Sequence, residues 1–168
     1  MSNDIAQRVQ DALAALQADF TVIDIDPAFT HTADFCAQYG YSPELSGNAI
    51  VVASKRPQGH NAVCLATATT RLDVNRRVRG LLGVRKLSFA SADLTMQLTG
   101  MEIGGVTPFG LPEGLPVYVD ARIMSLDEIL VGGGNRSTKI SVNPEVFDRM
   151  PSVSVIEGLA NPLPEPSV

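Results

Sequence analysis

The chain has 168 residues, a net charge of −5 at neutral pH, 45% hydrophobic and 18% charged residues. That is enough for one domain with its own core and too little to expect two, and the mixture is neither disordered nor fibrous. The acidic balance argues against general DNA or RNA binding, no apolar run reaches the length of a membrane span, and the acid-containing start Met1-Ser2-Asn3-Asp4 is not that of a secretory signal.

Ile5, Val9, Leu13 and Leu16 recur at helical spacing behind Asp4, which predicts an opening amphipathic helix. Phe20 to Ile25 alternates and stops at Asp26-Pro27, as a strand running into a turn does. A second helix is expected over 32–39, closed by Gly40. The apolar runs 49–53 and 62–67 flank the turn-rich stretch 54–61 and predict a hairpin. Asp73 then caps a helix with Val74, Val78, Leu81 and Leu82 on its buried stripe, ended by Gly83. A short strand follows at 86–90, and a helix from Ser91 through Leu98 closes at Gly100. Strands are expected at 116–120, 128–131 and 138–142, with a short helix from Pro144 and a last strand at 153–156. The proline-rich end is expected to be a flexible tail over 161–168, leaving a single domain at 1–160. Strands and helices mix without strict βαβ alternation, which predicts an α/β chain with a mixed, partly barrel-like sheet and peripheral helices.

Arg71, Arg76, Arg77, Arg79, Arg85 and Lys86 fall in one segment opposed only by Asp73. A solvated helix face is the plain reading, and a track for one shaped polyanion is the other. Cys36 and Cys64 lack metal spacing and suit a reduced, cytoplasmic protein with buried thiols. His31 with Cys36, and His60 with Cys64, are better explained by packing than by zinc. No GxSxG, HExxH, Walker or dinucleotide fingerprint is present, so neither a metal nor a cofactor is expected.

The distinctive feature is a pair of glycine clusters. Gly104-Gly105-Val106-Thr107-Pro108-Phe109-Gly110 and Gly132-Gly133-Gly134-Asn135-Arg136-Ser137 each follow an apolar segment. Glycine lets successive backbone N–H groups converge on one oxygen of a phosphate, a carboxylate or a developing oxyanion. Tight turns between strands would use the same residues. The Thr-Pro step stiffens the first loop, and Thr107 offers it a hydroxyl.

Leu72-Asp73 opening a helix, Thr99-Gly100 closing the next, the Gly104–Gly110 loop, Val119-Asp120 and a strand entering Gly132-Gly133-Gly134 together resemble the YbaK/prolyl-tRNA-synthetase-associated family. The resemblance spans roughly 20–158. It implies an editing-type hydrolase that serves translation fidelity by cleaving the ester of a mischarged tRNA at its 3′ terminal adenosine, without a cofactor. It further implies that Gly104, Gly105 and Thr107 act at the reacting ester, and that Val106, Pro108, Phe109, Gly132, Gly133 and Gly134 contact substrate. Asn48 occupies the slot where the family usually carries a functional lysine. Lys55, seven positions along the strand and roughly 23 Å away, is no substitute. Asn48 can hydrogen-bond a phosphate or carbonyl but brings no charge, and a plain strand-entry residue is its other reading. Gly132 stands where cysteine-removing members carry a serine. These departures leave two expectations open: an active deacylase of different specificity, or a binding module of the same fold for an aminoacyl-adenosine end. Oligomeric state is not legible.

Overall fold

The computed structural model describes residues 2–164. Its helices are α1 (Ser2–Ala15), α2 (Thr32–Tyr39), α3 (Arg79–Leu82) and α4 (Ala92–Thr99), and its strands are β1 (Phe20–Asp24), β2 (Gly47–Arg56), β3 (Gln58–Thr67), β4 (Thr70–Leu72), β5 (Lys86–Phe89), β6 (Val117–Asp120), β7 (Ile129–Gly132), β8 (Thr138–Val142), β9 (Val153–Ile156) and β10 (Ala160–Pro162). Three sheets result, ordered β5-β2-β3-β6-β9, β1-β8-β7 and β10-β4. The first is mixed, with β6 parallel to β3 and β9 parallel to β6, and the second is antiparallel throughout. The mixed α/β class is as expected, and the described strands form open sheets, not a closed barrel.

Local chemistry explains most element boundaries. Ser91 Oγ accepts from Leu94 N–H at the start of α4, while Gly40 and Gly100 end α2 and α4 in the left-handed conformation that costs glycine little. The 72–83 segment is more compressed than a regular helix. Asp73 caps a π-helical turn, Val74–Val78, that runs into α3, keeping Val74 and Val78 inward and Arg76 and Arg77 in solvent.

The hairpin strands reach further than the apolar runs predict. Ser54 Oγ donates to the Pro57 carbonyl and accepts from His60 N–H, so polar residues hold the pairing up to a turn at Pro57. The end of the chain is also corrected. Ala160–Pro162 forms β10 against β4, and Leu163 N–H donates to Thr69 O at 3.1 Å. The rest of the expected tail, 165–168, lies outside the described residues.

The main core fills the space between the mixed sheet and the three-stranded sheet, with Val9 and Leu13 of α1 packed against Val63, Val119, Ile129, Ile140 and Phe147. A second cluster on the other side of the mixed sheet seats the 72–84 segment on Val52, Ala62 and Cys64. The third places Phe35 and Cys36 of α2 on Ile25 and Leu130, covering the outer face of the three-stranded sheet. That last contact determines the character of the site.

Candidate active site

β5 pairs only with the 52–56 half of β2, which leaves the 47–50 half open beside the turn leading into α2. A cleft of about 300 Å³ opens there, lined by Asn48 of β2, Gly104 and Val106 of the first glycine loop, Gly132 of β7, the Thr30–Thr32 turn and Lys139 of β8. The structure thus joins Asn48 to one part of each glycine cluster. Thr32 Oγ1 donates to Asn48 Oδ1, leaving the Asn48 amide NH₂ as its donor.

The rest of the glycine loops has a different job. Gly134 N–H donates to Gly105 O at 2.8 Å, Gly133 N–H to Thr138 O at 2.9 Å and Gly105 N–H to Glu102 O at 2.9 Å. A Cβ on Gly105 would stand 2.7 Å from the Asn135 backbone, and one on Gly132 would collide with the Val106 carbonyl. The clusters are therefore glycine-rich because two backbones press together, and the amides of Gly105, Gly133 and Gly134 are already engaged. In the fold these amides bond within the chain instead of facing the cleft, unlike their expected placement as donors to substrate.

Three neighbours differ from their expected placement in the same way. Thr107 is fully buried, and among the described residues its hydroxyl has no partner. Pro108 is buried, and Phe109 stacks on Phe147 in the core at 5.7 Å between ring centroids. None of the three lines the cleft. Gly104 and Val106 do, and among the described residues no acceptor takes their N–H groups. Gly104, at φ +100°, requires glycine for its conformation, and its carbonyl accepts from Thr30 Oγ1 at 2.7 Å. Arg136 Nη1 reaches the Ile103 carbonyl at 3.4 Å, so its guanidinium lies beside the same loop.

Lys139 is the functional candidate that the sequence concealed. It stands directly opposite Gly132 in the β7–β8 ladder, on the strand face that α2 covers. Only 7% of its surface is exposed. Its Nζ donates to the Thr30 carbonyl at 2.8 Å and sits 5.5 Å from the centre of the Phe35 ring. Burial pulls its pKa down to about 8, a shift that the nearby Cys36 partly opposes. In Thr138-Lys139-Ile140-Ser141-Val142 the alternation assigns Lys139 and Ser141 to solvent. Only the docking of α2 turns that face inward.

The basic segment lies elsewhere. Arg71 and Arg76 border a separate cavity with Phe89 and Asn161, whose lining shares no residue with the cleft. Arg77 Nε donates to the Glu157 carbonyl. Among the described residues no helix is long and apolar enough to cross a membrane.

A family model, the aminoacyl-tRNA editing domain, matches residues 26–150. The chain belongs to the aminoacyl-tRNA editing domain family. Its match takes in every residue lining the cleft. The uncharacterized protein YwhH of Bacillus subtilis (strain 168) is 29% identical over 92 residues, 55% of this chain and 58% of that relative's length. Two crystal structures share the fold at 22% identity. One, described as a candidate trans-editing enzyme for prolyl tRNA synthetase, aligns at a TM-score of 0.76 over 93% of this chain and 96% of its own. The other, the hypothetical protein APE2540, aligns at 0.81 over 92% and 99%.

Proposed function

We propose that this editing domain hydrolyses the ester of a mischarged tRNA at its 3′ terminal adenosine, within the cleft between Asn48 and Gly104. The observation that carries this reading is the meeting, in one cleft, of unengaged loop amides, a side-chain amide and a buried ammonium, with no nucleophilic serine or cysteine among the described residues that line it. Such a set of donors suits a carbonyl oxygen on which charge develops.

In the reaction, a water oxygen bonds to the ester carbonyl carbon and the bond from that carbon to the ribose oxygen breaks. The water's proton passes to the departing oxygen, giving the free amino acid and an intact tRNA end. The neighbouring ribose hydroxyl can orient the water and marks the substrate as RNA. Gly104 and Val106 N–H and the Asn48 amide serve the ester end, and the Arg136 guanidinium beside the loop suits a phosphate of the terminal nucleotides. A reduced, cytoplasmic setting among tRNAs fits this reading.

The test is a deacylation panel of tRNAs mischarged with small and polar amino acids. The protein should accelerate loss of at least one above the free-ester rate, and no acceleration across the panel overturns the reading. One observation favours a second reading. The bond from Thr32 ties up the Asn48 carbonyl oxygen and makes the slot a fixed, uncharged contact. Tight binding of a non-hydrolysable aminoacyl-adenosine analogue without turnover would establish a binding module instead.

A further inference from the structure

Lys139 is a buried cation whose surroundings do not explain it. An ammonium has three N–H donors, and among the described residues only the Thr30 carbonyl accepts from this one. Among the described residues no aspartate or glutamate lines the cleft. A buried charge without an acidic partner is costly to keep, and neither α2 nor the three-stranded sheet requires one there. Ile25, Phe35 and Leu130 already form an apolar contact between them.

Its placement supplies a reason. Lys139 itself lines the cleft, and the residue opposed to it is Gly132, whose side-chain position is filled by the Val106 carbonyl. Thr30 links the same ammonium to the Gly104 loop, since its carbonyl accepts from Lys139 Nζ while its hydroxyl donates to Gly104 O.

We infer that the Lys139 ammonium is the charged donor of the cleft, holding the ester carbonyl oxygen while negative charge builds on it during water attack. This rests on the editing reading. The alternative roles differ in sign. A neutral lysine acting as general base would gain effect as pH rises, whereas an oxyanion donor loses effect as its proton leaves. The titratable groups around it are Cys36 on α2, His31 at the head of that helix and Tyr41 stacked on Phe35; β1 and β7 present Ile23, Ile25 and Leu130.

The experiment compares single-turnover deacylation by wild type and Lys139→Met across pH 6 to 9.5, on a substrate the panel identifies. Using one substrate for both proteins cancels the titration of its own amino group. Below pH 7.5 the wild type should be about a hundredfold faster, the usual cost of losing an oxyanion donor, with KM little changed. The ratio should collapse toward one as pH rises past 8. A ratio independent of pH makes Lys139 structural, a ratio that grows with pH makes it a base, and either overturns the inference. An inactive wild type instead fails the editing reading itself. Should the methionine variant not fold, the Lys139 ammonium in labelled wild type is titrated by NMR. The non-hydrolysable analogue should raise its titration midpoint, and an unmoved midpoint overturns the inference as well.

Discussion

The two halves of the glycine-rich junction look alike in sequence and do opposite things in the fold. Gly104 and Val106 face an open cleft with N–H groups that no acceptor among the described residues takes, whereas Gly105, Gly133 and Gly134 direct theirs into the chain. Gly104 requires a left-handed backbone, at φ +100°, whereas Gly105 and Gly133 require the absence of a Cβ, and Gly134, at φ +99°, shares the first constraint. Glycine-rich stretches are therefore not one signal. A loop that meets a ligand has to be anchored by another loop, and both use glycine for different steric reasons.

The largest expected effect comes from disturbing the anchoring half. Gly132→Ala drives a Cβ into the Val106 carbonyl and the Gly105 backbone, neither of which is a flexible side chain that can turn away. Urea unfolding should show a loss of about 3 kcal/mol, with deacylation falling in parallel; an unchanged midpoint would mean that the junction relaxes freely. Gly104→Ala tests the other half. Its positive φ and the Thr30 methyl at 3.0 Å should cost about 1–2 kcal/mol, but the rate should fall by more than stability explains, because the loop amides then lose their aim. Equal losses would place Gly104 with the anchoring residues.

A smaller effect is the pH dependence of folding. The folded-state pKa of Lys139 is about 8 against an ordinary 10.5. Between these values the unfolded chain holds more protons than the folded one, so stability rises with pH. Burial raises the Cys64 thiol from 9.0 to about 12, which acts in the opposite sense and offsets most of that gain above pH 9. The wild type should therefore gain about 1 kcal/mol between pH 8 and 9, a gain that Lys139→Met abolishes in urea titrations. A flat difference would mean that the ammonium is hydrated. The smallest effects belong to the arginines. Arg136→Ala should raise KM for tRNA several-fold at unchanged kcat. Arg76→Gln should leave stability within about 0.5 kcal/mol. A fall of about one in the salt slope of tRNA affinity would identify a phosphate contact there, and an unchanged slope would leave Arg76 a solvated face.

The local parts of the fold were legible because their causes are local. α2 runs over the residues its pattern predicts, and Gly40 and Gly100 end helices as glycines at that position do. β6 and β8 follow from short apolar alternation. The extension of the hairpin and β10 were hidden because backbone pairing and the Ser54 hydroxyl, not apolar burial, hold Ser54–Arg56, Gln58–Asn61 and Asn161–Pro162 in place. Among the site residues, Asn48, Gly104, Val106 and Gly132 do converge on one cleft, while Thr107, Pro108 and Phe109 turn into the core.

By itself the sequence determined the mixed α/β class, the family resemblance and the loop that carries the cleft, since capping, periodicity and glycine spacing act over a few residues. Tertiary structure decided which amides remain open and which side chains face them. Two glycine loops distant in the chain compete for the same hydrogen bonds, and only their packing settles which N–H groups are left over. The docking of α2 likewise turns a strand position of ordinary polar alternation into a buried cation, because burial belongs to a surface and to whatever covers it.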